Sequence, residues 1–268
     1  MSLDAYLARI GYAGPREPTL ATLRAVVAAH ATAIPFENID VLLGRGATLD
    51  EAPLADKIVR RRRGGYCFEH NTTMLRALRA LGFAAEGLGG RVVWMRPPDE
   101  IGPRTHMLLR ADLPEGPHLV DVGFGGLTLT GPIRLLPGIE QETPHEPHRL
   151  VQRDAGELEL QALLDGAWVP LYRFGLQPVP PIDYEVANWF TATCPERLFT
   201  ANLMCARPEP DCRYALLNGR FTIRRRGQPP ERRVLQGAAE LGEVLARDFL
   251  LPTPEADIAA VWAKVLGK

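Results

Sequence analysis

The chain has almost no charge of one sign to spare. Its 31 lysines and arginines against 32 aspartates and glutamates leave a net charge of −1 over 268 residues. That balance excludes the broad basic field on which nucleic-acid binding rests. Long apolar runs are missing as well, and none approaches the roughly 20 residues needed to span a bilayer. The opening MSLDAYLARIGY carries Asp4 and Arg9 where a secretory signal needs an unbroken apolar core, so a cytoplasmic protein is expected. Cysteine is scarce, with four residues at 67, 194, 205 and 212 and no C-x2-C pair, which argues against a metal site. In a reducing compartment these four are expected as thiols. What the chain does have is core-forming material, 46% hydrophobic against 24% charged residues, enough for one unit with subdomains or two small domains.

Periodicity divides the chain. Residues 1–84 read as helices: Ser2 before Leu3, Tyr6, Leu7 and Ile10 with Gly11 as a stop, and Thr19 before Leu20, Leu23, Val26 and Val27. Pro35 breaks the second helix. Asp50 opens a third that runs to the arginines at 60–63, and a fourth follows Cys67, with Phe68, Leu75, Leu78 and Leu81 inward. From 85 to about 190 the segments are short, β-rich and separated by Pro/Gly loops, as an antiparallel sheet or small barrel requires. The stretch PEGP (114–117) reads as the turn between THMLLRADL and HLVDVGF. In 191–268, Asn218-Gly219 marks a hairpin, and two helical patterns follow. The basic runs 60–63 and 224–226 read as solvated faces.

One stretch, RRRGGYCFEHN (61–71), carries chemistry. A thiol is mostly protonated at neutral pH and only its thiolate attacks readily. Cys67 would stand in the first turn of a helix, where unpaired N–H groups carry partial positive charge. The arginines at 61–63 would add to that potential, while Gly64 and Gly65 free the backbone to approach a substrate. First-turn N–H groups can also stabilise an oxyanion. A structural role in capping and packing is the alternative for the same residues. Among six histidines, His70 lies one helical turn from Cys67 but has no evident group to orient it and reads as a surface residue. His145 and His148 have loop character. His106 is better placed, because with the turn centred at Pro114–Glu115, Asp121 on the next strand falls opposite Leu108, one diagonal step from His106. A carboxylate between Val120 and Val122 needs a partner. A buried His–Asp pair that only stabilises the sheet is the alternative reading.

RGGYCFEHN, THMLL and DVGFG in that order, together with YLARIGY, IPFENID (34–40) and NWFTATCPERLFTANL (188–203), resemble the arylamine N-acetyltransferases over nearly the whole chain. The resemblance implies an α+β fold with an N-terminal helical bundle (1–84), a central antiparallel β-barrel (85–190) and a C-terminal α/β lid (191–268). It implies a papain-like triad of Cys67, His106 and Asp121. It further implies acetyl-CoA as cosubstrate, with no tightly bound cofactor, and an arylamine, hydrazine or arylhydroxylamine acceptor. Phe36, Phe124 and Phe199 are the implied acceptor contacts, with ordinary core packing as the alternative for each. Thr105 and the Gly125–Gly126 turn are candidates for holding the CoA phosphates, and Arg63 and Glu69 for supporting the cysteine loop. His70 and Cys194 depart from the usual family pattern. The same fold also admits an amide synthase acting on a polyketide aryl-amine, and the same triad a thiol-dependent CoA-thioester hydrolase.

Overall fold

The computed structural model describes residues 1–97 and 100–265. Its helices begin where the sequence offers caps. Ser2 Oγ accepts from the Ala5 N–H to open α1 (Leu3–Arg9), and Thr19 Oγ1 accepts from the Thr22 N–H to open α2 (Leu20–Ala33). Helix α2 stops before Pro35, and the next residues form the short strand β1 (Phe36–Glu37) and the turn-length helix α3 (Ile39–Leu42). Helix α4 (Glu51–Ala55) runs into one π-turn over Asp56–Arg60, and Asp50 precedes it without a side-chain cap. Helix α5 (Cys67–Ala80) ends at Gly82, whose φ of +86° suits a residue without a Cβ. Tyr6, Leu23, Val26, Val27, Phe68, Met74 and Leu78 fill one core, while Leu75, expected inward, is only half-buried.

Eight antiparallel strands follow: β2 (Ala84–Val92), β3 (His106–Leu113), β4 (Gly116–Val120), β5 (Ile133–Arg134), β6 (Glu140–Gln141), β7 (His148–Gln152), β8 (Leu158–Leu164) and β9 (Ala167–Phe174). Their order is β5-β4-β3-β2-β9-β8-β7-β6. The outer strands meet through a side chain: Gln141 Oε1 accepts from the Arg134 N–H at 2.7 Å and its Nε2 donates to Arg134 O at 3.0 Å. The sheet is thereby rolled into a nearly closed barrel. Leu88, Leu108, Leu119, Leu150, Leu160 and Phe174 share its core, whereas Met107, Leu109, Ala111 and Val120 join the helical core. Burial on both faces explains why Met107, Leu108 and Leu109 follow one another in β3 with no polar residue between them.

The segment after β9 differs from the expected strands, forming helix α6 (Pro181–Thr193). Pro181 sits in its first turn, where a missing N–H costs nothing and the fixed φ favours a helix, and Asp183 adds charge of the right sign. The division expected at 190 falls inside this helix. Helix α7 (Leu198–Ala201) leads into β10 (Met204–Glu209), β11 (Cys212–Leu217), β12 (Arg220–Arg225) and β13 (Glu231–Val234), then α8 (Ala238–Arg247) and α9 (Glu255–Val265). The β11–β12 hairpin turns at Asn218-Gly219, as the sequence predicts, with Leu217 opposite Arg220. Phe221, Leu241, Leu245, Phe249 and Val261 form the core of this part. No helix among the described residues is long and apolar enough to cross a membrane.

The parts are tied by a strand exchange in one sheet. β1 pairs antiparallel with β10, so the sheet order β1-β10-β11-β12-β13 begins with residues from the helical region. Asn38, 1% exposed, fixes the joint: its Nδ2 donates to Phe199 O and Asn202 O at 2.7 Å each, and its Oδ1 accepts from the Met204 N–H at 2.7 Å. Truncation leaves two carbonyls and an N–H without a partner, each loss worth about 1 kcal/mol or more. Asn38→Ala is predicted to lower unfolding free energy by about 3 kcal/mol in denaturant titration. Asn38→Asp, which keeps the acceptor but loses both donors, should not restore it; recovery to the wild-type midpoint would contradict this account.

Candidate active site

Cys67 is the first residue of α5 and sits where backbone meets backbone. A Cβ on Gly64 would lie 1.9 Å from Pro35 O, and one on Gly65 would lie 2.7 Å from Glu69 Cβ. Neither glycine has positive φ, so the pair is needed for space and not for the conformational freedom inferred from sequence. The approach lets Gly65 O accept from the Glu37 N–H at 2.8 Å. Glu69 Oε2 in turn accepts from the Tyr66 N–H at 3.1 Å, and its Oε1 from Lys57 Nζ at 2.8 Å. Arg63 Nη2 and Nε lie 2.8 and 3.0 Å from Glu37 Oε1. Arg63 and Glu69 thus support the cysteine loop. The positive potential expected from the arginine run is offset, because Arg63 is buried against Glu37 and Arg60 and Arg61 pair with Asp56.

The structure brings Cys67, His106 and Asp121 to one place. The β3–β4 turn has the expected Pro114–Glu115 centre, with Leu113 opposite Gly116 and Leu109 opposite Val120. Asp121 lies one residue past the end of β4, and its Oδ2 is 2.7 Å from His106 Nε2. Its Oδ1 accepts from Asn71 Nδ2 at 3.0 Å and from the Gly123 N–H at 2.9 Å. Asn71 escaped the reading of the sequence, although it stands four residues after Cys67 and so on the same helix face. It also donates to Met107 O at 2.7 Å and accepts from the Val122 N–H at 3.2 Å, tying α5 to β3 and to the segment after β4. Gly123 closes the arrangement, since a Cβ there would sit 2.8 Å from Cys67 Cα.

With Nε2 committed to Asp121, Nδ1 is the imidazole nitrogen left for chemistry. Burial disfavours the charged ring, but the Asp121 carboxylate and the Cys67 sulfur outweigh it and raise the His106 pKa to about 10. Burial likewise opposes charge on Asp121, yet His106, Asn71 and Gly123 hold its carboxyl below the usual range. The Cys67 thiol lies 3.7 Å from Thr105 O. Aromatic rings brace the imidazole, with Tyr172 at 4.8 Å and Phe124 at 5.4 Å between centroids.

His70 is not the surface residue the sequence suggests. It is 1% exposed and belongs to a buried chain: Tyr6 Oη lies 2.8 Å from His30 Nδ1, His30 Nε2 lies 2.9 Å from His70 Nδ1, and His70 Nε2 lies 3.1 Å from Pro35 O. A carbonyl can only accept, so each imidazole donates through Nε2 and the tyrosine donates to His30. Burial lowers the His70 pKa to about 4 and pushes His30 well down, keeping both rings neutral. His70 also stacks on Phe36, with 6° between ring planes. His145 is buried as well, bonded to Thr130 Oγ1 and Glu209 O.

A cavity of about 790 Å³ opens on Cys67 and His106. Phe36, Phe124, Phe199, Thr105, Gly125 and Gly126 all line it. Phe199 packs against Phe36 and Tyr66 at 5.9 and 5.6 Å between centroids. One wall is the five-stranded sheet, including Arg220, Arg224 and Arg232. Arg224 therefore faces a cavity, contrary to the solvated face expected of 224–226. The alternation Arg220-Thr222-Arg224 was the available signal, since period-two spacing places these side chains on one face.

The chain matches a family model described as N-acetyltransferase over residues 19–258. The arylamine N-acetyltransferase of Mycolicibacterium smegmatis is 46% identical over 251 residues, covering 92% of this chain and 91% of that protein. That of Escherichia coli (strain K12) is 42% identical over 255 residues, covering 95% and 90%. The structure of Mycobacterium marinum arylamine N-acetyltransferase superposes with a TM-score of 0.95 at 42% identity, covering 98% of this chain and 99% of the other. The same protein in complex with CoA gives 0.94 at 42% identity, with the same coverage.

The His106–Asp121 pair has a pH signature. A raised His106 pKa contributes stability that is complete below the unfolded value near 6.5 and is lost as pH rises through about 10. The depressed Asp121 pKa contributes stability present above about 3.9 and lost as pH falls through its lower folded value. The stability gap between wild type and Asp121→Asn should therefore be widest from about pH 4 to 6.5 and narrow towards both extremes. Denaturant titrations across this range test it, and a gap independent of pH would rule out the ionic pair.

Proposed function

The chain belongs to the arylamine N-acetyltransferases, a family of acyltransferases, and from that premise we propose that Cys67 carries an acetyl group from acetyl-CoA to the nitrogen of an arylamine, hydrazine or arylhydroxylamine. The observation that supports this most directly is a buried His106–Asp121 pair set beside a helix-start thiol at the foot of an aromatic cavity. His106 takes the Cys67 proton, and Asp121 holds the ring and stabilises the imidazolium. The thiolate attacks the thioester carbonyl, forming a tetrahedral oxyanion that first-turn N–H groups of α5 can meet. Collapse breaks the carbon–sulfur bond to CoA, which leaves with the proton from His106. The acceptor nitrogen then attacks acetyl-Cys67, His106 receives the proton released from nitrogen, and the Cys67 thiolate departs. Two half-reactions through one covalent intermediate give ping-pong kinetics.

On this reading residues 1–84 carry the nucleophile, 85–190 the base and its orienting carboxylate, and 191–268 cover the site. Phe36, Phe124 and Phe199 are the proposed acceptor contacts. Thr105, Gly125 and Gly126, which line the same cavity, are the proposed contacts of the CoA phosphates.

Acetyl-CoA alone should add one acetyl group to the Cys67 peptide by mass spectrometry, and Cys67→Ser should abolish both labelling and transfer. Burial raises the thiol pKa of Cys205 and Cys212, which makes them poor substitutes. Acetyl found on another cysteine, with Cys67→Ser still active, would overturn the assignment. A second variant separates recognition from chemistry. Stacking an arylamine on Phe124 is worth about 0.5–1.5 kcal/mol beyond area, a few-fold to about tenfold in rate. Phe124→Leu should lower arylamine turnover by that factor relative to small hydrazines, with Cys67 acetylation near its original rate. Equal loss in both single-turnover half-reactions would instead make Phe124 a brace for His106.

A further inference from the structure

One buried imidazole outside the His106–Asp121 pair is committed to the cavity wall. His70 stands in α5 one turn beyond Cys67 and makes three contacts. Its Nδ1 accepts from His30 Nε2 at 2.9 Å, and its Nε2 donates to Pro35 O at 3.1 Å. Its ring lies nearly parallel to that of Phe36, with 6.3 Å between centroids. Accepting at one nitrogen and donating at the other allows a single ring orientation, because a flip would lose both bonds. Tyr6 extends the clamp by donating to His30 Nδ1, and both imidazoles are neutral, so the chain runs one way from tyrosine to carbonyl.

Pro35 and Phe36 are consecutive, so one side chain holds the backbone of the first and the ring of the second. Phe36 in turn lines the cavity beside Cys67. The last torsion of a phenylalanine is broad, and the plane its ring takes is set by what packs on it. Phe199 meets Phe36 at 47°, with 5.9 Å between centroids, but it is half-buried on the short helix α7. Gly125 lies against the ring too, since a Cβ there would be 3.6 Å from Phe36 Cγ, yet a glycine has no side chain to steer it. The near-parallel His70, bonded at both nitrogens, is therefore the contact that fixes the plane of Phe36.

We propose that His70 is a positioning residue for the acceptor, setting through Pro35 and Phe36 the aromatic surface on which an arylamine ring packs; the assignment rests on the acetyl-transfer reading above. It thereby sets the preference for aromatic amines over small hydrazines. The chemistry required at this position is narrow: a flat group carrying one acceptor and one donor. A glutamine amide meets it, with Oε1 taking the bond from His30 and Nε2 giving the bond to Pro35. A leucine fills similar space but leaves Pro35 O and the His30 Nε2–H without partners in a buried place. The cysteine loop has fastenings of its own, the Glu37 N–H to Gly65 O and Arg63 to Glu37, so the thiol keeps its place when His70 is changed.

The test measures the second half-reaction with an arylamine and with a small hydrazine, and acetylation of Cys67 by acetyl-CoA alongside. His70→Leu should lower the arylamine-to-hydrazine ratio of kcat/KM a few-fold to about tenfold, the range of a lost aromatic contact, chiefly by raising the arylamine KM. Acetylation of Cys67 should stay near its original rate. His70→Gln should keep the wild-type ratio and KM, because both hydrogen bonds survive. If His70→Leu does not fold, His70→Met, whose unbranched chain adapts to irregular space, is read in the same way. An unchanged ratio in the apolar variant, or equal loss with both acceptors, would overturn the proposal and leave His70 a packing residue. Altered selectivity in His70→Gln would overturn it as well, since the bonds it retains would not be what matters. A wild-type enzyme that acetyl-CoA does not acetylate would instead sink the acetyl-transfer reading.

Discussion

Everything in this structure hangs on the contact between residues 35–38 and 63–67. There a carbonyl, Pro35 O, comes so close to Gly64 that only a hydrogen fits between them. The contact is locked electrostatically as well as sterically. Glu37, fully buried, takes Arg63 on Oε1 and the Ile39 N–H on Oε2, while Lys57 lies 2.8 Å from Glu69 and 3.0 Å from Asp40. Such a network gains little over apolar packing, but removing one member leaves a buried charge unpaired, at about 3–5 kcal/mol. Its contribution is therefore to geometry: it sets the start of α5, the course of β1, and with them the distance between the thiol and the five-stranded sheet.

Around that contact, the sequence was legible wherever neighbours along the chain decide the outcome. Ser2 and Thr19 cap helices with their own hydroxyls, and Pro114-Glu115 fixes the strand register that sets Asp121 against His106. The cysteine, histidine and aspartate motifs were recognisable as a set. What stayed hidden depends on partners far away in sequence. His70 looks solvent-facing until His30, forty residues earlier, is packed against it. The arginine run looks like unopposed charge until Glu37 is brought to Arg63. Gly64 and Gly65 look like hinges because sequence shows flexibility and not crowding. Helix α6 was missed because an apolar segment flanked by prolines carries both signals, and only its packing on the helical core settles which wins.

The His106–Asp121 pair illustrates how few groups a buried ionic site needs when each is fully used. Asp121 has no exposed surface, and its two oxygens meet an imidazole, an amide and a backbone N–H. Asn71 completes the arrangement by bonding to β3, to the segment after β4 and to the carboxylate itself.

The exchange of β1 into the C-terminal sheet has a consequence for biosynthesis. Phe36 finds its partner Ala206 only after 170 further residues have been made, since the intervening sequence runs from 36 to 206. Contacts of such separation slow folding, because loop closure comes before any gain from pairing. A growing chain thus displays Cys67 early but lacks the wall that shelters it until β10–β13 have left the ribosome. A nascent or truncated chain therefore carries Cys67 without the sheet wall that completes the cavity around it.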